Sequence, residues 1–531
     1  MTARRAATLF DEWAARGSRT VMHLSRSFDI APHDGTVWNA GRLAALVRTA
    51  AGWLRAAGVR PGERVAIAKR NHWDYDLLAF AAARIGAVPA KLSAHLSPET
   101  LQTLLKRLDP ALLVTTRAVL GVAASSGTEL TAFSRRTLCL DGPARGALGL
   151  ADVAGYGSPA PDPRRRDDDP LVIVHTSGTT GVPKLVVHSH ATMLRRLAGF
   201  ESVPWPVLSY RRADVAVTAS AYAHGRTFCW TATVCAAGPK EVVILADHEP
   251  AVAGPILRAH PPTVIEALPA TYLRWLPLAT GAEQPFRDVR MYVSTYDAMH
   301  PPAVRTFLAA SERRHPFWMQ GWGQSETGPL TFRFLTRKAL RRTAERHPTT
   351  RDVGLPVPGR TRLRVVDPQT LAPVPSGQPG LVLARTKARC LGYVGEEDRF
   401  LAKEHGGWFN TGDIAVHTRA GILLVDREVD RIPDGSCIEL EDVIDDRLPE
   451  VVECVILGVP GSVPLPVVVT DTGWLDRAVW RDAVADLPPL AEPMVLGWSD
   501  LPRTGTGKVR RAELRARLLG TAETFGTGRW T

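Results

Sequence analysis

Residues 176–184 read TSGTTGVPK and follow the apolar run LVIVH at 171–175. A strand that empties into hydroxyls, glycines and a lysine is suited to meet an anion. Thr176, Ser177, Thr179 and Thr180 bring hydroxyl donors, and Lys184 brings a cation. Gly178 and Gly181 let the backbone turn so that N–H groups converge, and Pro183 fixes one φ. The order is G-x-x-G-x-x-K with Leu185 next, not the G-x-x-x-x-G-K-[ST] of a Walker loop. The stretch therefore suits a polyphosphate tail without being the common nucleotide motif. A Ser/Thr/Gly connector with no ligand is the alternative for the loop by itself.

The chain around it has 531 residues, more than one hydrophobic core usually serves, so at least two domains are expected. Its 45% hydrophobic content is that of a soluble globular protein. The formal charge of +11 suits an anionic partner, but a general arginine bias explains it equally well. No dense Lys/Arg tract with interleaved aromatics occurs, which argues against nucleic acid and leaves polyanionic small molecules. The six cysteines are scattered, without CxxC or a Cys/His metal spacing. That argues against structural zinc and for a reducing compartment. The N-terminal MTARRAATLFDEWAARG lacks an apolar signal core, and no run approaches ~18 apolar residues. A cytoplasmic protein without membrane insertion is expected.

The first 150 residues alternate helical and strand patterns. Leu43, Leu46, Val47, Ala50, Trp53, Leu54 and Ala57 share one helical face. GVRPGERVAIAKRN supplies a turn and a strand, and a helix through Leu77, Leu78, Phe80 and Ala81 ends near Gly86. YGSPAPDPRRRDDDP reads as a surface linker. The α/β pattern resumes from 171 to about 426, with residues 337–354 a basic, solvated helix and loop. From about 355, VGLPVPG, RLRVVD and GLVLAR predict a small β-rich subdomain. After Asp426 comes a compact α+β segment, with VVECVILGV as a strand and ELRARLLG as a closing helix. No internal repeat is found.

Three further stretches carry chemistry. In QGWGQSETGP, 320–329, Glu326 is a hard oxygen ligand of the kind Mg²⁺ prefers. Ser325 donates to phosphate, and Trp322 lies between glycines that let its ring lie flat on a base. In WFNTGD, 408–413, a tight turn precedes Asp413, whose carboxylate can take both hydroxyls of a ribose. In LPRTGTGKVRR, 501–511, Lys508 sits on an exposed Thr/Gly turn before a helix.

Together these stretches resemble, in order, the motifs of the adenylate-forming superfamily of acyl-CoA ligases, peptide-synthetase adenylation domains and beetle luciferases. DREVD, 426–430, is similar to that family's interdomain stretch. The resemblance covers nearly the whole chain. It implies an α/β fold with a large domain, 1–426, of layered subdomains plus a small β-rich one, and a mobile α+β domain, 427–531. It implies two steps: a carboxylate attacks the α-phosphate of Mg-ATP, and a thiol then displaces AMP. An anion attacking a polyanion needs cations at the transition state. By resemblance Lys508 bridges the carboxylate and the α-phosphate, Glu326 holds Mg²⁺ with Thr176 as a lesser ligand, and Asp413 and Arg427 bind the ribose. Trp322 stacks on adenine, and Thr176 to Lys184 takes the β- and γ-phosphates.

The same resemblance places His224, in AYAHGRTFCW, beside the acyl group, with Tyr222, Ala223, Gly225, Thr295 and Tyr296 lining the pocket. A core histidine is the alternative for His224. The pocket residues point to an aromatic or other bulky, partly polar acid. Here the chain departs from the family. Its S-G-G-A-P-L turn reads STYDAM, with Thr295 and Tyr296 at the two glycines and Asp297 at the alanine. The hinge position is Val429 where the family has Asp or Lys, a stiffer residue that favours extended backbone. The loop RIPDGSCIELED is one residue short, with Leu440 in place of proline, and 458–495 is abbreviated. The expected activity is a stand-alone carboxylic acid:CoA ligase using ATP, Mg²⁺ and CoA. The alternatives are loading of a carrier-protein thiol, survival of one half-reaction only, and a catalytically silent binding protein. Retention of Lys508, Glu326, Asp413 and Arg427 argues against the last.

Overall fold

The computed structural model describes residues 5–162, 166–176, 182–341, 349–419, 421–427, 432 and 435–520. It is a mixed α/β protein, as the sequence predicts, and divides into two compact units. Unit 1 holds residues 1–266 with 325–328 and 387–400, and unit 2 holds the remainder.

Unit 1 is organised by an eight-stranded sheet. Its order is Gly392–Tyr393, Leu185–Ser189, Pro170–His175, Val88–Ser93, Arg64–Lys69, Leu112–Thr115, Arg136–Cys139, Leu148–Gly149. From Pro170–His175 onward the pairs are parallel, and the first two pairs are antiparallel. Parallel strands are covered on both faces, and Val88–Ser93 is buried along its whole length. The helix Ala40–Ala56 starts where Asn39 caps it through Arg42 N–H. It buries the predicted stripe, except that Trp53 is only half-buried. The helix Asp74–Arg84 is buried on every face and gives way to Gly86 at φ 73°.

Two buried charges of that helix have lysine partners. Asp74 takes Lys69 Nζ at 2.6 Å, which also reaches Asp29 at 2.6 Å. Asp76 pairs with Lys91, whose Nζ also donates to Thr227 Oγ1 (3.0 Å) and to the carbonyl of His224 (3.1 Å). Burial pushes Asp76 up and Lys91 down, and each is opposed by the other's charge.

Unit 2 contains the predicted β-rich part. Thr361–Val366, Pro379–Thr386, Trp408–Thr418 and Gly421–Arg427 pair antiparallel in that order, and Gly421–Arg427 pairs onward with Asp352–Pro356. The C-terminal stretch forms the predicted α+β piece. Val451–Leu457, Leu465–Thr470 and Met494–Leu496 make a three-stranded sheet, and Arg511–Leu519 is the closing helix. The helix Cys437–Arg447 meets residues from earlier in the chain. Asp442 accepts from His300 Nδ1 (2.8 Å), Thr349 Oγ1 (2.7 Å) and Thr350 N–H (2.9 Å). Asp446 pairs with Arg305. Burial alone would push His300 down, but Asp445 and Asp442 outweigh it and hold its pKa at about 10. Burial raises Asp445 to about 8. No helix among the described residues is long and apolar enough to cross a membrane.

Two outcomes follow from these buried charges. Asp76→Asn leaves Lys91 without its anion and is expected to destabilise the chain by about 3–5 kcal/mol. Replacing both partners with apolar residues recovers much of that loss, as urea unfolding midpoints will show. The His300 contribution is complete below its ordinary pKa of 6.5 and is lost as pH rises through about 10. Thermal midpoints of the wild type, measured relative to His300→Gln, should therefore fall across that window.

Candidate active site

In unit 1 the strands Pro170–His175 and Leu185–Ser189 pair antiparallel and flank the Ser/Thr/Gly loop at 176–184. Thr176 and Lys184 close its base. Thr176 N–H donates to Lys184 O, and Lys184 N–H donates to Thr176 Oγ1, both at 3.0 Å. Ser177, Gly178, Thr179, Thr180 and Gly181 lie outside the described residues. Lys184 Nζ stands 3.4 Å from Glu326 Oε1 and 5.3 Å from the centroid of the Tyr393 ring. Tyr393 donates its hydroxyl to the same oxygen at 2.7 Å. Burial and the Glu326 charge push that hydroxyl far above its usual pKa, so it stays a donor.

Ser325 is fixed through its carbonyl, which accepts from His188 Nε2 at 2.7 Å. Burial holds His188 below its ordinary pKa, so the ring is neutral with its proton on Nε2. The buried Glu326 carboxylate and the Thr176 hydroxyl are hard oxygen donors of the kind Mg²⁺ takes alongside phosphate, so the donor set fits that ion.

His224 caps the helix Gly225–Ala237, its Nδ1 accepting from Arg226 N–H at 3.1 Å. The segment before it is pinned by Asn71, which donates to Ser220 O (3.0 Å) and accepts from Tyr222 N–H (2.8 Å). Tyr222 is fully buried, and its hydroxyl donates to Thr218 O at 3.4 Å. Gly225 packs closely: a Cβ there would meet Met193 Cε at 3.3 Å and Val174 at 3.4 Å. Arg226 is clamped between Glu201 (2.7 Å) and Glu266 (2.7 Å).

In unit 2, Trp322 lies on the strand Phe317–Gln324 and packs against Val365, Val382, Ala415 and Ile422. Asp413 is buried inside the strand Trp408–Thr418, not after a tight turn as the sequence predicts. The register slips between Leu381 and Leu383, where 411–413 face Val382 alone, and Gly412 at φ 76° lies in the resulting bulge. The bulge turns Asp413 toward Gln324, whose Nε2 donates to Asp413 Oδ2 (3.0 Å) and to Thr411 O (2.6 Å). Arg427 is the register partner of Asp413. The Arg427 side chain and Val429 lie outside the described residues.

The STYDAM turn keeps a glycine-like backbone. Tyr296 sits at φ 87°, in the left-handed region that costs a side-chain-bearing residue about 1–3 kcal/mol. Thr295 stands close enough to Gly321 that a Cβ there would meet its Cγ2 at 3.6 Å. The Lys508 turn is closed by Thr504 N–H to Lys508 O (2.8 Å) and by Lys508 N–H to Thr504 Oγ1 (3.2 Å). Lys508 is half-buried rather than fully exposed. The turn lies against the helix Pro269–Arg274: a Cβ on Gly507, at φ 81°, would come within 2.9 Å of Ala270.

Unit 1 thus brings Thr176, Lys184, Ser325 and Glu326 together, and unit 2 brings Trp322 and Asp413 onto the same sheet region through Gln324. Sequence reasoning missed Gln324, Tyr393 and His188. Gln324 lay inside a quoted motif and was open to notice. Tyr393 reaches the site through strand pairing with Val186 and His188 through its ring hydrogen bond to the Ser325 carbonyl, long-range contacts that no local pattern announces.

Residues 10–394 match the family model described as "AMP-binding enzyme". The chain is 38% identical to the 3-amino-2-hydroxy-4-methoxybenzoate diazotase of Streptomyces cremeus, over 97% of this chain and 96% of that one. It is 28% identical to the long-chain-fatty-acid–CoA ligase of Thermus thermophilus over 77% of this chain and 75% of that one. The fold matches the anthranilate CoA ligase AuaEII in complex with anthranoyl-AMP with a TM-score of 0.80 at 19% identity, covering 97% of this chain and 98% of that one. The match across most of its length, to a family whose motifs it carries in order, makes this chain a member of the AMP-binding, adenylate-forming enzymes.

Proposed function

We propose that this enzyme activates nitrite on ATP and uses the resulting mixed anhydride to diazotise an aromatic amine, an amino-substituted hydroxybenzoate being the substrate class. The observation that carries this reading is the 38% identity, end to end, with a diazotase of that substrate type. The chemistry is within reach of an adenylate-forming site. A nitrite oxygen attacks the α-phosphate, and pyrophosphate leaves. The amine nitrogen then attacks the nitroso nitrogen, the N–O bond breaks, and AMP departs with the electron pair. The N-nitroso product shifts its remaining N–H proton to oxygen, and the proton that the amine released in the previous step returns to that hydroxyl, which leaves as water and gives the diazonium. No oxidant or reductant is consumed.

In this reading Lys508 neutralises the approach of nitrite to the α-phosphate. Thr176 to Lys184 holds the β- and γ-phosphates, Trp322 faces adenine, and Asp413 with Arg427 takes the ribose. Glu326, with Thr176, would hold Mg²⁺, which supplies positive charge to the phosphates. Tyr222, His224, Gly225, Thr295 and Tyr296 orient the aromatic ring, with the Lys91 bond to the His224 carbonyl fixing that turn. Residues 1–426 form the nucleotide-binding body and 427–531 a small domain moving about Val429. The nucleophile of the second step already lies in the pocket, so no thiol tunnel has to open. That agrees with a stiff Val429 and an abbreviated stretch at 431–442. A cytoplasmic setting suits the ATP requirement and the free cysteines among the described residues.

The second reading keeps a carboxylate as the activated acid and CoA, or a carrier-protein thiol, as acceptor. It is favoured by the likeness to CoA ligases at lower identity.

ATP–pyrophosphate exchange separates the two readings. Exchange that depends on nitrite, with azo dye formed when naphthol traps the product of an aminohydroxybenzoate, is the expected result. Exchange supported by the aromatic acid alone, with thioester made on adding CoA, would establish the ligase instead. Lys508→Ala should cut nitrite-dependent exchange about 10²–10³-fold. Tyr296→Gly relieves the left-handed strain, so its thermal midpoint should hold or rise. Its KM for the aromatic amine should rise with little change in nitrite-dependent exchange.

A further inference from the structure

His23 lies on the strand Val21–Leu24, Glu241 opens the strand Glu241–Ile244, and His260 caps the helix Pro250–Ala259. The two strands run parallel with Val21 opposite Glu241, so His23 and Glu241 leave the same sheet face two residues apart. His260 Nδ1 stands 2.9 Å from Glu241 Oε2, and His23 Nε2 stands 3.8 Å from that same oxygen. The imidazoles stack with centroids 3.8 Å apart and planes at 29°. Among the described residues this is the one group of three such side chains whose donor atoms all lie within 4.8 Å of one another.

An ion pair accounts for Glu241 with one histidine but gives no reason for the second. A protonated His23 would face a like charge whenever His260 is protonated. Burial and His260 instead hold His23 below its ordinary pKa, despite Glu241, which leaves Nε2 with a lone pair to give. Burial would raise Glu241, but Lys240 on Oε1 (2.8 Å) and His260 outweigh it and keep the carboxylate ionised. A tetrahedral zinc ion takes nitrogen and oxygen ligands at about 2.0–2.2 Å, which sets its donors about 3.3–3.5 Å apart. The two nitrogen–oxygen spacings bracket that value, and binding turns the stacked imidazoles so that both ring planes meet at the ion.

We propose that His23, Glu241 and His260 form a site for a divalent transition metal, with zinc the ion that two imidazoles and one carboxylate suit. Lys240 supports the carboxylate from its other oxygen. The three side chains are 16–25% exposed, so water completes the coordination. The bound ion clips the N-terminal strand to a strand and a helix more than two hundred positions along the chain.

The full-length protein, stripped with a chelator, is titrated with zinc sulfate against a chromogenic indicator. One tight equivalent is expected, with at least ~10-fold weaker binding in each of His23→Gln, Glu241→Gln and His260→Gln. Cobalt(II) should give visible d–d absorption that the same variants lose, and zinc should raise the thermal midpoint of the wild type alone. His23→Gln should keep its ATP–pyrophosphate exchange, showing that the variant folds. A wild type that takes up no equivalent, or variants that bind zinc as tightly as the wild type, would overturn the assignment.

Discussion

A buried carboxylate must find partners, and Glu326 draws its partners from separate stretches of chain. Lys184 comes from the end of the Ser/Thr/Gly loop, and Tyr393 from a short edge strand. The Glu326 carbonyl is held by Cys390 N–H at 2.7 Å. Removing a carboxylate from water costs several kcal/mol unless charge and hydrogen bonds repay it. The energetics therefore disfavour any arrangement in which these segments drift apart. The requirement that satisfies Glu326 also aligns the loop base, the Ser325–Glu326 step and the strand Gly392–Tyr393. Charge preorganised in this way costs no reorganisation when a charged group arrives.

The same rule recurs wherever this chain buries a charge. Lys91 is committed to Asp76, and its remaining donors hold Thr227 and the His224 carbonyl. Lys69 ties Asp29 to Asp74. Asp442 ties the helix Cys437–Arg447 to His300, Thr349 and Thr350. None of these groups need touch substrate. Each converts the penalty of burying a charge into a fixed geometry for a turn or helix end.

Local patterns in the sequence carried much of the fold. The stripe from Leu43 to Ala57 specified a buried helical face, since periodicity records which side chains avoid water. Only Trp53 strayed, a residue large enough to lie half out at the edge of such a stripe. The glycine-rich stretch around Asp413 misled, because Gly412 serves a bulge within a continuous strand as well as it would a turn. Motif order pointed to Glu326, Asp413 and Lys508. It was silent on Tyr393 and His188, whose places depend on contacts with residues far along the chain.

The STYDAM turn keeps a glycine's backbone path while carrying side chains. Tyr296 holds a backbone conformation that glycine adopts freely, so the path of the turn survives while a large side chain is added to it. Strain of this kind persists only where the surroundings over-determine the backbone. The strand Met291–Ser294 before the turn is fully buried, and the Ser294 hydroxyl accepts from Trp318 Nε1 at 2.9 Å. For a thiol acceptor arriving through its own channel, extra bulk at the turn brings no evident gain. In the proposed reaction, where an amine must present its nitrogen to a small nitroso group, a ring added at this turn would limit the poses the aromatic takes. In the reading proposed above, the strain at Tyr296 is the cost of that restriction.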